Sequence, residues 1–145
     1  MSPKTLKIGV DLMGNDNPPE LLIEALKGWI ASLPPTVELL LIGTPPYASC
    51  VRGCDLPWSY REAPEVIEME EHPLLALRRK RRASLCVGMR LLKEGQIDAL
   101  VSAGNTGALV SSAKMILSTL PGILRPALVA LMPTKKHPVA VLDVG

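Results

Sequence analysis

Ala99-Leu100-Val101-Ser102-Ala103-Gly104-Asn105-Thr106-Gly107-Ala108 is a hydrophobic strand that passes, through a turn of small and polar residues, into an apolar helix. The helix continues with Leu109, Val110, Ala113, Ile116, Leu117 and Leu120 near a period of 3.6. Such a turn leaves backbone N–H groups free at the positive end of a helix. Phosphates and other anions bind there because donors and helix dipole point the same way.

The same alternation runs through the chain. Leu6 to Asp11 reads as a short strand ending in a carboxylate, and Met13-Gly14-Asn15-Asp16-Asn17-Pro18-Pro19 as the turn after it. Leu21, Leu22, Ala25, Leu26, Trp29, Ile30 and Leu33 predict an amphipathic helix stopped by Pro34 and Pro35. Val37 to Ile42 and Trp58 to Glu62 read as strands. A helix is predicted over about Leu74 to Glu94, broken near Ala83 and capped by Gly95. Ala127 to Met132 and Val139 to Val144 read as two more strands. Strands alternating with helices predict a largely parallel, two-sided α/β sheet, and apolar runs such as Leu39 to Ile42 and Val139 to Leu142 suit strands buried on both faces. Residues 1–145 read as one domain. Because the chain stops just after a predicted strand, at Leu142-Asp143-Val144-Gly145, the expectation is the N-terminal part of something longer.

Composition narrows the class. With 48% hydrophobic and 21% charged residues, the chain argues against disorder, and two Trp, two Tyr and no Phe require an aliphatic core. The net charge is only +2, yet Arg78, Arg79, Lys80, Arg81 and Arg82 are consecutive, so the charge is a local basic patch. That run reads either as a solvated helix face or as a site for an acidic partner or a phosphate. Nucleic acid fits poorly without aromatics to stack on. Cys50, Cys54 and Cys86 form neither a disulfide scaffold nor a zinc pattern and read as reduced thiols in a cytoplasmic protein. No signal-peptide-like apolar stretch and no run of roughly 20 apolar residues stands out. His72 and His137 each adjoin a proline and read as turn residues.

Three post-strand loops carry candidate chemistry. Asp11, Gly14, Asn15 and Asp16 occupy the first; Ser102, Gly104, Asn105, Thr106 and Gly107 the second; Asp143 and Gly145 the third. In a parallel sheet all three would meet at one edge, where open α/β sheets bind ligands. Ser102 and Thr106 can donate to phosphate oxygens, and Asn105 can orient a carbonyl or phosphoryl group. The local readings are a tight turn with Asn105 or Thr106 as helix cap, and ordinary turn chemistry for Asp11 and Asp16. A metal pair is the weaker reading for want of a third ligand. Neither the P-loop nor the GxGxxG spacing is present.

Several segments together resemble one family. Val10 to Pro19, Leu77 to Leu85, Leu92 to Ala108, Arg125-Pro126-Ala127 and Leu142 to Gly145 are similar, in order, to motifs of the bacterial phosphate acyltransferases of phospholipid synthesis. Asn15 and Asn17 stand where that family usually has a glycine and a histidine, and Ala83 where serine is common. The resemblance implies a three-layer α/β/α sandwich related to phosphotransacetylases and to isocitrate and isopropylmalate dehydrogenases. It implies acyl transfer from acyl carrier protein to inorganic phosphate, in a homodimer that uses no organic cofactor. It also implies a longer parent chain, whose later part makes peripheral membrane contact.

On that likeness Ser102, Gly104, Asn105, Thr106 and Gly107 are expected to bind phosphate or an oxyanion. Asp11, Gly14, Asn15, Asp16 and Asp143 would shape the crevice. Lys80 and Ser84 would approach phosphate, and Arg78, Arg79, Arg81 and Arg82 would meet the carrier protein. The alternatives are a phosphotransacetylase-like or dehydrogenase-like enzyme on the same fold, or a non-catalytic piece that only binds carrier protein.

Overall fold

The structure is a computed structural model and describes residues 5–142. Strand β1 (Leu6–Asp11) leads to helix α1 (Pro19–Ile30), strand β2 (Val37–Gly43) and the short helix α2 (Ala48–Arg52), reached through a 3-10 turn at Pro45–Tyr47. Strand β3 (Trp58–Glu62), helices α3 (Pro73–Arg79) and α4 (Ser84–Lys93), strand β4 (Ala99–Ser102) and helix α5 (Thr106–Ile116) follow. Strands β5 (Val129–Met132) and β6 (Val139–Leu142) close the described chain.

Strands β3-β2-β1-β4 form a four-stranded sheet, and every pairing in it is parallel. The apolar run of β2 explains why helices cover both faces. Successive side chains in a strand point to opposite sides. Leu39 and Leu41 pack with Ile23, Leu26 and Ile30 of α1 and Val51 of α2. Leu40 and Ile42 face the other way, into a cluster with Ala63, Leu91 of α4 and Ile97. Helices α3, α4 and α5 join through Leu77, Met89 and Ala108. The result is the three-layer α/β/α arrangement.

Local signals explain most boundaries. Pro19 occupies the first turn of α1, where a missing N–H costs nothing. That helix ends at Ile30, earlier than Leu33, because Ser32 and Leu33 turn back to the carbonyls of Trp29 and Ile30. The predicted helix over 74–94 is two helices, broken between Arg79 and Ser84. Gly95 adopts the positive φ of 67° that closes α4.

Strands β5 and β6 depart from expectation. They pair antiparallel with each other in a separate two-stranded sheet and do not extend the parallel one. Nor are they buried: Leu131 is 73% exposed and Leu142 64%. Six residues separate them. A parallel crossover needs about a dozen or more, so the connection allows only a hairpin. The Thr134 hydroxyl fastens it by donating to the His137 carbonyl at 2.6 Å.

These environments predict opposite responses to truncation. Leu41→Ala, at a side chain with 0% exposure, should cost about 2–5 kcal/mol in denaturant unfolding. Leu131→Ala in the hairpin should stay within about 0.5 kcal/mol.

Candidate functional site

Strands β1 and β4 are neighbours in register, with Asp11 opposite Ser102. The loops that follow them therefore leave the same edge of the sheet side by side. Contact is close: a Cβ placed on Gly104 would stand 3.3 Å from the carbonyl oxygens of both Met13 and Gly14. Gly14 itself has φ +73°, and a Cβ there would collide with the Ile67 carbonyl. Only glycine fits the corner at that point.

At the root of the corner lies Asp11, only 2% exposed. Its Oδ1 accepts from the Met13 amide at 3.1 Å and its Oδ2 from the Ser102 hydroxyl at 2.9 Å. The Ser84 hydroxyl, at the start of α4, also bonds to the carboxylate. Ser102 Oγ in turn accepts from the Gly104 amide at 3.2 Å. Burial pushes the Asp11 pKa above its ordinary 3.8, against the opposing effect of the Ser84, Met13 and Ser102 hydrogen bonds. Ser84 and Ser102 are thus both bonded to Asp11 at the base of the loops.

Asn105 is the N-cap of α5. Its Oδ1 accepts from the Ala108 amide at 3.0 Å, while its Nδ2 donates to the carbonyls of Glu68, Met69 and Glu71 at 3.3, 2.9 and 3.0 Å. The side-chain amide is therefore committed to the chain itself. It ties down residues 63–72, a strap crossing from β3 to α3 that the sequence pattern does not reveal. Lys80, expected near phosphate, holds the same strap by donating to the Val66 carbonyl at 2.7 Å and to the Glu71 carboxylate. The Lys80 hydrogen bond also holds Glu71 below the usual carboxylate range. Ser84 is 2% exposed and lies beneath the corner rather than at its surface.

The rim belongs to other residues. Asn15, Asp16, Asn17, Leu21, Leu22 and Ala103 line a cleft of about 480 Å³. Within it Asn15 donates to the Leu12 carbonyl at 3.2 Å and accepts from the Asn17 amide at 2.8 Å. A second cleft of about 420 Å³ is lined by Thr106, Gly107, Val110, Ser111 and Leu128. Thr106 and Gly107 open α5, and their amides have no intrahelical acceptor. Ala103, before the Gly104–Asn105 turn, lines the first hollow, and Thr106, after it, lines the second. Asp143 and Gly145 lie outside the described residues, and the strand preceding them is not in the parallel sheet.

Arg78, Arg79, Arg81 and Arg82 are exposed, and among the described residues none of them forms an ion pair. Arg90 joins them by donating to the Arg81 carbonyl at 2.9 Å. Among the described residues no group of three or more His, Cys, Asp or Glu could hold a metal ion. No helix among them is long and apolar enough to cross a membrane. His72 sits at the N-cap position of α3 and His137 in the β5–β6 turn.

Comparison with known proteins gives one family. The family described as "Fatty acid synthesis protein" matches residues 6–145. A phosphate acyltransferase from an Exiguobacterium species is 42% identical over 142 residues, covering 97% of this chain and 43% of that protein. The phosphate acyltransferase of Syntrophobacter fumaroxidans is 41% identical over 143 residues, covering 97% and 40%. That of Trichodesmium erythraeum is 43% identical over 145 residues, covering 96% and 42%. The chain spans about two-fifths of the length of these curated relatives.

Two substitutions separate the bonds that hold the corner. Asn105→Asp keeps the oxygen that caps α5 and removes the donor. Hydrogen exchange should rise across residues 63–72 and stay unchanged in α5, whereas Asn105→Ala should also cost about 1 kcal/mol of helix capping. For Asp11 the folded state holds its proton to higher pH than the unfolded chain does. Stability therefore falls as pH rises from the unfolded value to the raised folded one. Relative to Asp11→Asn, the wild type should lose stability as pH rises above the ordinary carboxylate value of about 4 in parallel melting series.

Proposed function

The chain belongs to the fatty acid synthesis protein family, and from that premise we propose that it builds part of a phosphate acyltransferase site. The reaction is transfer of an acyl group from acyl carrier protein to inorganic phosphate. A phosphate oxygen attacks the thioester carbonyl, the C–S bond breaks, and the carrier thiolate leaves as acyl phosphate forms. The observation that carries this reading is the corner itself. Two post-strand loops from adjacent parallel strands are locked together while their outer residues stay at the surface.

Roles divide accordingly. The Thr106 hydroxyl and the Thr106 and Gly107 amides, at the positive end of α5, bind phosphate or the developing oxyanion. Asn15 and Asp16 shape the neighbouring hollow with Gly14 as its pivot. Asp11, Ser84, Ser102, Gly104, Asn105 and Lys80 act as positioning residues. Asp143 belongs to the same proposal through its sequence motif. Arg78, Arg79, Arg81 and Arg82 attract the acidic carrier protein, chiefly by raising its encounter rate. The setting is cytoplasmic and the assembly a homodimer. No cofactor enters the reaction.

The protein carrying this sequence should convert long-chain acyl-[acyl carrier protein] and phosphate to acyl phosphate, trapped with hydroxylamine as the hydroxamate. Product from acetyl-coenzyme A but none from the carrier thioester would make it a short-chain phosphotransacetylase instead. Thr106→Val should raise the KM for phosphate about tenfold, equivalent to ~1.4 kcal/mol. Arg79→Glu with Arg81→Glu should lower kcat/KM for the carrier, most strongly at low salt.

A further inference from the structure

Residues 65–71 read Glu65-Val66-Ile67-Glu68-Met69-Glu70-Glu71, an acidic run to which the proposed reaction gives no role. Its carboxylates are not equivalent. Glu68 and Glu70 are exposed. Glu71 instead accepts from the Glu68 amide at 2.8 Å and from the Lys80 ammonium. The Glu71 amide in turn donates to the Glu68 carbonyl at 3.3 Å. Glu71 therefore closes a turn over residues 68–71 from both ends. Lys80 is the middle of the basic run, turned inward between arginines that face solvent.

That turn presents the carbonyls of Glu68, Met69 and Glu71 together to Asn105 Nδ2. A side-chain amide has only two N–H groups, so three acceptors share two hydrogens and three carbonyl dipoles converge on one spot. Such crowding does not hold itself together; the Glu71 carboxylate and Lys80 hold it. Past the turn the strap meets α5 a second time, for a Cβ on Gly107 would stand 2.7 Å from the Pro73 ring. The strap thus grips α5 at residues 105 and 107, on either side of Thr106.

We propose that Glu71 is a positioning residue for the phosphate-binding end of α5. It acts through Asn105. The pinned turn fixes the Asn105 amide, whose oxygen caps Ala108, and so sets where the Thr106 hydroxyl and the first amides of the helix point. The proposal rests on the acyl-transfer reading above and adds a residue to its phosphate site. Sign separates this role from a direct one. The Lys80 hydrogen bond holds the Glu71 pKa down, so Glu71 is a carboxylate at neutral pH. A carboxylate repels a nearby anion, so a through-space effect alone would tighten phosphate binding once Glu71 is neutralised. Positioning demands the opposite.

KM and kcat for phosphate are measured with long-chain acyl-[acyl carrier protein], and binding of inorganic phosphate by calorimetry, in the protein carrying this sequence. Glu71→Ala should raise both KM and the dissociation constant about tenfold and leave kcat unchanged. Glu71→Gln keeps an oxygen for the Glu68 amide and for Lys80, and should lose no more than about threefold. Asn105→Asp already lacks the donor, so in that background Glu71→Ala should add nothing further.

Tighter phosphate binding in Glu71→Ala overturns the positioning role. So does an unchanged KM with only a lowered melting temperature, or a full tenfold effect in the Asn105→Asp background. If the wild type forms no hydroxamate, yet Glu71→Ala weakens phosphate binding, the acyl-transfer reading fails and the positioning role stands. Hydroxamate formation with the same phosphate KM in Glu71→Ala keeps that reading and removes Glu71 from it.

Discussion

The buried carboxylate of Asp11 is the point on which the corner depends. It sits at the last residue of β1 and takes bonds from its own loop, from β4 and from the start of α4. An isolated buried carboxylate would be very costly, so each of these donors is needed to make the position tolerable. The same need imposes order. Met13, Ser84 and Ser102 must all be in place together, and Ser102 passes the constraint on to Gly104. One unfavourable burial thereby registers three segments that are distant in sequence.

Asn105 and Lys80 do the corresponding work from above. Loop carbonyls cannot be left dry and unpaired. The strap over residues 63–72 forms no strand or helix, and apart from a single bridge of Glu65 to Ala83 and the turn bonds at Glu68 and His72 its carbonyls look to side chains. Asn105 supplies donors to three of them and Lys80 to a fourth, with Glu71 balancing the ammonium. Polar side chains that look like ligands in the sequence are thus committed to backbone. What remains available at the surface is a smaller part of the expected set: Thr106, Gly107, Asn15 and Asp16.

How much of this was legible follows from which forces act locally. Helix and strand periods, Pro19 at a helix start and Gly95 at a helix end are local signals, and the parallel sheet with its two covered faces could be read from them. The adjacency of the first and second loops also followed, because it needs only parallel strands. The apolar composition of β5 and β6 points to the main sheet, whereas the six-residue connection between them permits only a hairpin. The strap was invisible because residues 63–72 have no period, and their order comes from Lys80, Asn105 and the backbone of residues 82–84 elsewhere in the chain. Asp11, Asn105 and Lys80 were picked out as polar residues in the right places. Their partners, which decide whether such a residue holds a ligand or holds the fold, are long-range and leave no mark in spacing.

The division of the corner into two hollows bears on the proposed chemistry. A phosphate and an acyl thioester make opposite electrostatic demands. The first needs donors and a positive helix end, offered where Thr106 and Gly107 open α5. The second needs apolar surface beside a polar cleft, and Leu22 and Ala103 line both the cleft of Asp16 and the apolar cavity under Trp29. Placing both in one crevice would set an anion against Asp16. Separating them by the width of the Gly104–Asn105 turn lets each bind in its own environment. For the phosphate oxygen to attack, the thioester carbonyl must reach it at the turn itself, and the Asp11 network holds that turn rigid, which is where pre-organisation matters most for transfer between two bound partners.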